Sequence, residues 1–266
     1  MLFLLLAGCG GTPEAATPPS STTPSTARPT TTTPDAPILT TVLPPETTET
    51  TPKQVVVLDP GHNGANAANP TEINRPVPAG RGKTKPCNTT GTATNAGYAE
   101  HAFTWDVAVR VRDLLTAQGI EVILTRPDDD GVGPCVDKRA AIGNEANAAA
   151  VISIHADGST NASAHGFHVA YSSPPLNEAQ GEPAMTLATT MRDTMAAQGF
   201  ATSTYIGSKG LSPRDDLAGM NLSERPAVLV ECGNMRNADE AAAFSSPDGR
   251  QSYAEAIAAG IQAYLA

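Results

Sequence analysis

The sequence predicts an α/β fold in one domain, with a mainly parallel twisted sheet and helices on both faces. Three observations carry this. First, Val55-Val56-Val57-Leu58, Ala150-Val151-Ile152-Ser153-Ile154 and Ala227-Val228-Leu229-Val230 are short, almost unbroken apolar runs. Runs of this kind belong to strands covered on both faces. Second, segments with apolar residues at three- and four-residue spacing alternate with them, as in βαβ units. Third, each run is followed at once by ionisable residues: Asp59 and His62, His155 and Asp157, and Glu231. Parallel neighbours present their carboxyl ends on one edge, where ligand and catalytic groups of open α/β sheets collect.

The elements follow in order. After the first strand comes a loop over 63–98, rich in Asn, Gly, Pro and Thr. Loops of that length inside compact domains are usually functional. A helix is expected over 100–118, with Phe103, Val107, Val111, Leu114 and Leu115 on one face and Gly119 as its left-handed stop. A strand at 120–124, a loop with Cys135, a helix at 136–147 and the strand at 150–154 come next. Then follow a strand at 166–171, a helix at 182–198 and an edge strand at 200–206. The strand at 227–230 and a closing helix at 250–265, with Tyr253, Ile257, Ile261 and Tyr264 on one face, complete the domain.

The rest of the chain is different in kind. Residues 12–52 are dominated by Thr, Pro, Ser and Ala, too few apolar groups to offset the entropy of ordering, so this stretch is expected as a disordered linker. Residues 1–11 form a short apolar leader, and Leu6-Ala7-Gly8-Cys9 resembles a bacterial lipobox. Export is the expectation, with Cys9 as a candidate for lipidation and membrane anchorage. The domain is then residues 53–266. Four of the 27 acids and one of the 17 bases precede it, so the domain itself stays acidic. With no basic stripe and few aromatics, nucleic acid is excluded as a partner. In an exported protein, Cys87 and Cys135, both in Gly/Pro-rich loops, are the natural disulfide pair. Such a bond would make the 63–98 loop a wall of a groove. Cys232, beside an apolar run, is expected as an inert buried thiol.

The strand ends assemble a chemistry. His62 and His155 supply two imidazoles, and Glu100, at the start of the helix leaving the long loop, reaches the same crevice if that helix crosses back over the sheet. Two imidazoles, one carboxylate and an open position are what a catalytic zinc site requires. Glu231 is a second carboxylate placed to move a proton. His101 follows Glu100 but faces elsewhere on the helix. His165 and His168, three apart, fall on opposite faces of a strand. Ser153 lacks a nucleophile elbow, and no Walker loop or dinucleotide fingerprint is present.

Over nearly all of 53–266 the chain resembles the zinc-dependent N-acetylmuramoyl-L-alanine amidases, bacterial peptidoglycan hydrolases. The resemblance rests on Val-Val-Leu-Asp-Pro-Gly-His62, Glu100, Val-Ile-Leu-Thr-Arg126 and Arg139 before Ala-Ala-Ile-Gly-Asn. It continues in Ile-Ser-Ile-His155-Ala-Asp and Pro-Ala-Val-Leu-Val-Glu231-Cys-Gly-Asn-Met. It implies one Zn2+ per chain held by His62, Glu100 and His155, with Glu231 as general base. The bond cut would be the amide between the lactyl group of muramic acid and L-alanine, in peptidoglycan or muropeptides. Asp59 is a candidate acceptor behind a ligand imidazole. Segment 172–181 is too short and polar for the long helix that blocks the zinc in some relatives. A monomer is expected. The alternatives are a zinc peptidase cutting within the stem and a non-catalytic peptidoglycan-binding module.

Overall fold

A six-stranded sheet with strand order β4-β1-β5-β8-β6-β7 organises the computed structural model, which describes residues 54–161 and 163–266. The expected leader (1–11) and linker (12–52) lie outside the described residues. Strands β1 (Val55–Pro60), β4 (Glu121–Leu124), β5 (Ala150–Asp157) and β8 (Ala227–Asn234) run parallel. β6 (His168–Ser172) pairs antiparallel with β8, and β7 (Leu211–Arg214) runs parallel to β6 at the edge. The sheet is thus mainly parallel, as the sequence predicts.

Alternate residues of the central strands serve two cores. Val56, Leu58, Ile152, Ile154, Val228 and Val230 pack beneath α2 (Glu100–Thr116), α4 (Glu182–Ala197) and α7 (Pro247–Leu265). Val57, Val151 and Leu229 face α3 (Val136–Glu145) and the short α5 (Ala218–Asn221). Burial on both faces is why these strands show no polar alternation.

Two of the central strands extend further than their apolar runs. β5 continues through His155 to Asp157, and β8 continues through Glu231 to Asn234. His155 and Glu231 therefore stand as register partners inside the ladder, side by side on one face.

Two elements differ from expectation. Residues 200–206 hold only a single bridge, Phe167 to Thr202, and the edge strand forms at Leu211–Arg214 instead. A further helix, α6 (Ala238–Ser245), precedes α7 and is capped by Asn237, whose side chain accepts from the amides of Asp239 and Glu240. Between β6 and α4 the chain makes one 3₁₀ turn, Glu178–Gln180.

The long loop after β1 carries its own structure: a 3₁₀ turn at Asn66–Ala68, α1 (Pro70–Ile73) and a hairpin of β2 (Pro76–Pro78) with β3 (Thr84–Pro86). Cys87, just past β3, is bonded to Cys135 at the start of α3, 48 residues on. The hairpin tip is held too. Arg81 donates to Asn221 Oδ1 at 3.1 Å, to Ser172 Oγ at 3.2 Å and to the carbonyl of Pro174. Asn221 Nδ2 in turn donates to the Ala79 carbonyl at 3.0 Å. Cys232 is free and buried.

Closing a loop of this size restricts the unfolded chain by roughly 4 kcal/mol in the chain-entropy model. Cys87→Ser with Cys135→Ser is expected to lower the unfolding free energy by about that amount, measured by urea titration. Unchanged midpoints in oxidised wild type and variant would show the bond to be energetically idle.

Candidate active site

The turn after β1 is shaped to bring two histidines together. Gly61 donates its amide to the Ile154 carbonyl at 2.9 Å, and His62 follows at φ 59°, in the left-handed region. A Cβ on Gly61 would lie 2.4 Å from Cε1 of His155, so only glycine lets this backbone pass the ring. The two imidazoles meet edge to face, with centroids 4.9 Å apart.

Glu100 is the first residue of α2 and sits buried between them. Its Oε1 is 3.1 Å from His62 Nε2 and 3.0 Å from His155 Nδ1. The same oxygen accepts from the Ala156 amide at 3.1 Å, and Oε2 accepts from the Thr92 amide at 2.9 Å. The helix N-terminus adds a favourable dipole. Burial opposes its negative charge, yet the neighbouring His62 and His155 outweigh burial and hold its pKa well below the ordinary value. Burial likewise works against the His62 imidazolium, but Glu100 and the Thr89 carbonyl raise its pKa. His62 Nδ1 lies 3.1 Å from that carbonyl.

Glu231 lines the same pocket, of about 260 Å³, together with His62, Glu100 and His155. Its Oε2 is shielded from water and has no hydrogen-bond partner among the described residues. Burial, then the charges of Asp157 and Glu100, push its pKa well up, with Arg214 pulling the other way. The hairpin (Lys85, Pro86) and α5 (Leu217 to Met220) wall this pocket.

Asp59 does not stand behind an imidazole. Its carboxylate accepts from Thr125 Oγ1 at 2.7 Å, Ser153 Oγ at 2.7 Å and Arg139 at 2.6 Å. These partners occupy it, and the acceptor behind His62 is the Thr89 carbonyl. Burial raises the pKa of Asp59, but Arg139 and the three hydrogen bonds win, lowering it to about 2. Arg139 also donates to the carbonyls of Pro60 at 2.7 Å and His62 at 2.9 Å. Arg126, 1% exposed, donates to the Pro60 carbonyl at 3.1 Å. Two buried guanidinium groups thus fix the turn that carries His62.

The other histidines lie apart from this trio. His101 turns away to Asp129 Oδ2 at 2.7 Å, and His165 approaches the Ser163 carbonyl at 2.9 Å. His168 is buried in register with Glu231, its Nδ1 3.7 Å from Asp157 Oδ2. Burial and Arg214 lower its pKa to about 4, so it is neutral at physiological pH. Asp157 accepts from the Tyr205 hydroxyl at 2.8 Å. Thr92 and Ala156 act through backbone amides, and Thr89 through its carbonyl with its Oγ1 also 3.2 Å from His62 Nδ1; backbone groups are not revealed by any side-chain pattern. Tyr205 lies in the stretch expected as an edge strand, which is irregular here, and that pattern does not point its hydroxyl towards Asp157.

The donor set suits a zinc ion. Two imidazole nitrogens converge on one carboxylate oxygen within hydrogen-bond distance, and a partnerless carboxylate oxygen belongs to the same pocket. His62, Glu100 and His155 each offer one candidate ligand atom, and these lie within 4.8 Å of one another. The nearby group of Glu72, Cys87 and Cys135 has its two sulfurs tied in a disulfide and offers no thiolate.

Comparison with known proteins gives the same direction. The family model described as N-acetylmuramoyl-L-alanine amidase matches residues 56–263. The N-acetylmuramoyl-L-alanine amidase Rv3717 of Mycobacterium tuberculosis is 50% identical over 212 residues, covering 80% of this chain and 86% of that protein. The crystal structure of the apo form of the amidase Ami1 from Mycobacterium abscessus superposes with a TM-score of 0.78 at 55% identity, covering 80% of this chain and 99% of that one. Ami1 from Mycobacterium smegmatis gives 0.77 at 54% identity, with 80% and 96% covered. A match across most of the chain and half-identity to such relatives place this protein in the N-acetylmuramoyl-L-alanine amidase family.

Proposed function

We propose that the chain is an exported zinc amidase that cleaves the amide joining the lactyl group of N-acetylmuramic acid to L-alanine in peptidoglycan. The observation that supports it most is the convergence of His62 Nε2 and His155 Nδ1 on Glu100 Oε1, in one pocket with Glu231, whose Oε2 has no hydrogen-bond partner among the described residues. His62, Glu100 and His155 would hold one zinc, leaving a position open. Bound there, zinc supplies a Lewis acid for the amide carbonyl and lowers the pKa of water towards roughly 7.

The remaining steps belong to the chain's own groups. Glu231, ionised, accepts a proton from the attacking water. Its raised pKa then suits it to deliver that proton to the leaving amine of L-alanine. The fixed hairpin and α5 orient the stem peptide over the pocket. The acidic, linker-borne domain fits an envelope enzyme acting as a monomer, with residues 12–52 as spacer and Cys9 as a lipidation candidate. No helix among the described residues is long and apolar enough to cross a membrane.

Mass analysis of a defined disaccharide-peptide after incubation tests this. Expected are free disaccharide with its lactyl acid and an intact stem, abolished by chelator and restored by zinc. A shortened stem still attached to sugar would establish a peptidase instead. No product and no bound zinc would leave a binding module.

A further inference from the structure

Away from the pocket, a second groove of about 790 Å³ runs along the outer side of α2, from Tyr98 to Ala117. α2 has 17 residues, so the groove extends over roughly 25 Å. It begins two residues before Glu100, at the same edge of the sheet as the proposed metal centre. Tyr98 and Trp105 line it, both half-buried. Each ring is backed by an arginine. The Arg126 guanidinium lies over Trp105 at 5.0 Å, and that of Arg250 over Tyr98 at 5.5 Å. Such backing holds one face of each ring against the protein and fixes its orientation. The polar groups alongside are paired, some within the groove and some with arginines behind it. Arg110 binds Asp106, and its NH1 donates to Gln251 Oε1 at 2.8 Å.

From this groove we infer a binding site for the glycan strand of peptidoglycan, separate from the pocket that takes the scissile amide. The inference rests on the amidase reading for the identity of the polymer. The chemistry is that of sugar recognition. Pre-oriented indole and phenol rings offer flat apolar faces to the axial C–H bonds of pyranose rings. Asp106, Arg110, Asp113 and Gln251 offer hydrogen-bonding groups to hydroxyl and acetamido substituents. The three carboxylates of the lining are each met by a guanidinium, Asp106 by Arg110 and Arg250, Asp113 by Arg112 and Asp129 by Arg126, which suits a neutral N-acetylated chain better than a charged peptide. The groove is long enough for several sugar rings, so the strand would be held along α2 while a stem peptide enters the pocket at its end.

Trp105 is the single tryptophan of the chain, so its fluorescence reports this groove alone. Titration of the full chain with an N-acetylglucosamine hexamer is expected to give a saturable emission change. Trp105→Ala and Tyr98→Ala should each weaken co-sedimentation with insoluble peptidoglycan by about 5-fold, the worth of one aromatic contact. Both should leave hydrolysis of a small soluble disaccharide-peptide unchanged, and Trp105→Phe should retain binding. A flat titration to millimolar hexamer, or a response to stem peptide alone, would overturn the inference. Because the titration needs no substitution, an unfolded variant does not blur the result. Loss of disaccharide-peptide cleavage by the unaltered chain would instead count against the amidase reading.

Discussion

Glu231→Gln will lower turnover of a muropeptide by roughly 10²–10⁴-fold, the usual worth of a positioned general acid–base group. Zinc content should stay at one per chain. Glutamine keeps the shape of the side chain but can neither accept the water proton nor return it to the leaving amine. The three proposed ligands are untouched, since Glu100 Oε1 contacts His62 and His155 and not Glu231. The substitution also removes an ionisable group whose charge burial disfavours, so stability should hold or rise. Metal analysis, a thermal melt and initial rates on one preparation check all three. Full activity in the variant would remove Glu231 from the mechanism, whereas loss of zinc would reassign it as a ligand.

The second large effect is on folding. Arg139→Leu removes the guanidinium that pairs with Asp59 and spans the carbonyls of Pro60 and His62. Deleting one partner of a buried ion pair costs roughly 3–5 kcal/mol. In a domain of this size that corresponds to a drop of about 10 °C in melting temperature. Turnover should fall as well, because the His62 turn loses its support.

The pH dependence has a definite sign. Asp59 titrates at about 2 in the fold against an ordinary 3.8. Its stabilising contribution is therefore complete above pH 3.8 and is lost as the pH falls through about 2, which accounts for roughly 2 kcal/mol. Urea unfolding between pH 2 and 5 should show that slope in the parent and a shallower one in the variant. Adding Asp59→Asn to Arg139→Leu should restore part of the stability, since no buried charge is then left unpaired. A single variant as stable as the parent would show that the pair contributes nothing net.

The parts of this molecule that were legible in its sequence are those that water exclusion writes directly. β1, β5 and β8 are buried on both faces, so their apolar runs stand out, and the ionisable residues that follow them mark the functional edge. Glu100 was findable because it opens a strongly periodic helix. β7 was not, because an edge strand containing Ser212, Pro213 and Arg214 need not be apolar and carries no pattern. The signal for α6 was present in Asn237 with Glu240 three residues on, but eight residues give little periodicity to confirm it. Asp59 shows a different limit. Sequence places a carboxylate at a strand end but not the direction in which it points, and here buried Arg139 draws it beneath the turn. The carbonyl of Thr89 and the amides of Thr92 and Ala156 are backbone groups that any residue would bring.

The hairpin tied at its base by Cys87–Cys135 and at its tip by Arg81 bears on how time is spent in a catalytic cycle. A wall that is already in place loses no chain entropy when a substrate arrives, and no closing step need precede chemistry. Selection among stem peptides would then rest on what fits the rigid pocket at first encounter, not on an adjustment made after binding. The same rigidity leaves the mouth open to departing product, so turnover would be governed by the hydrolytic step and by how quickly the domain meets the next intact amide.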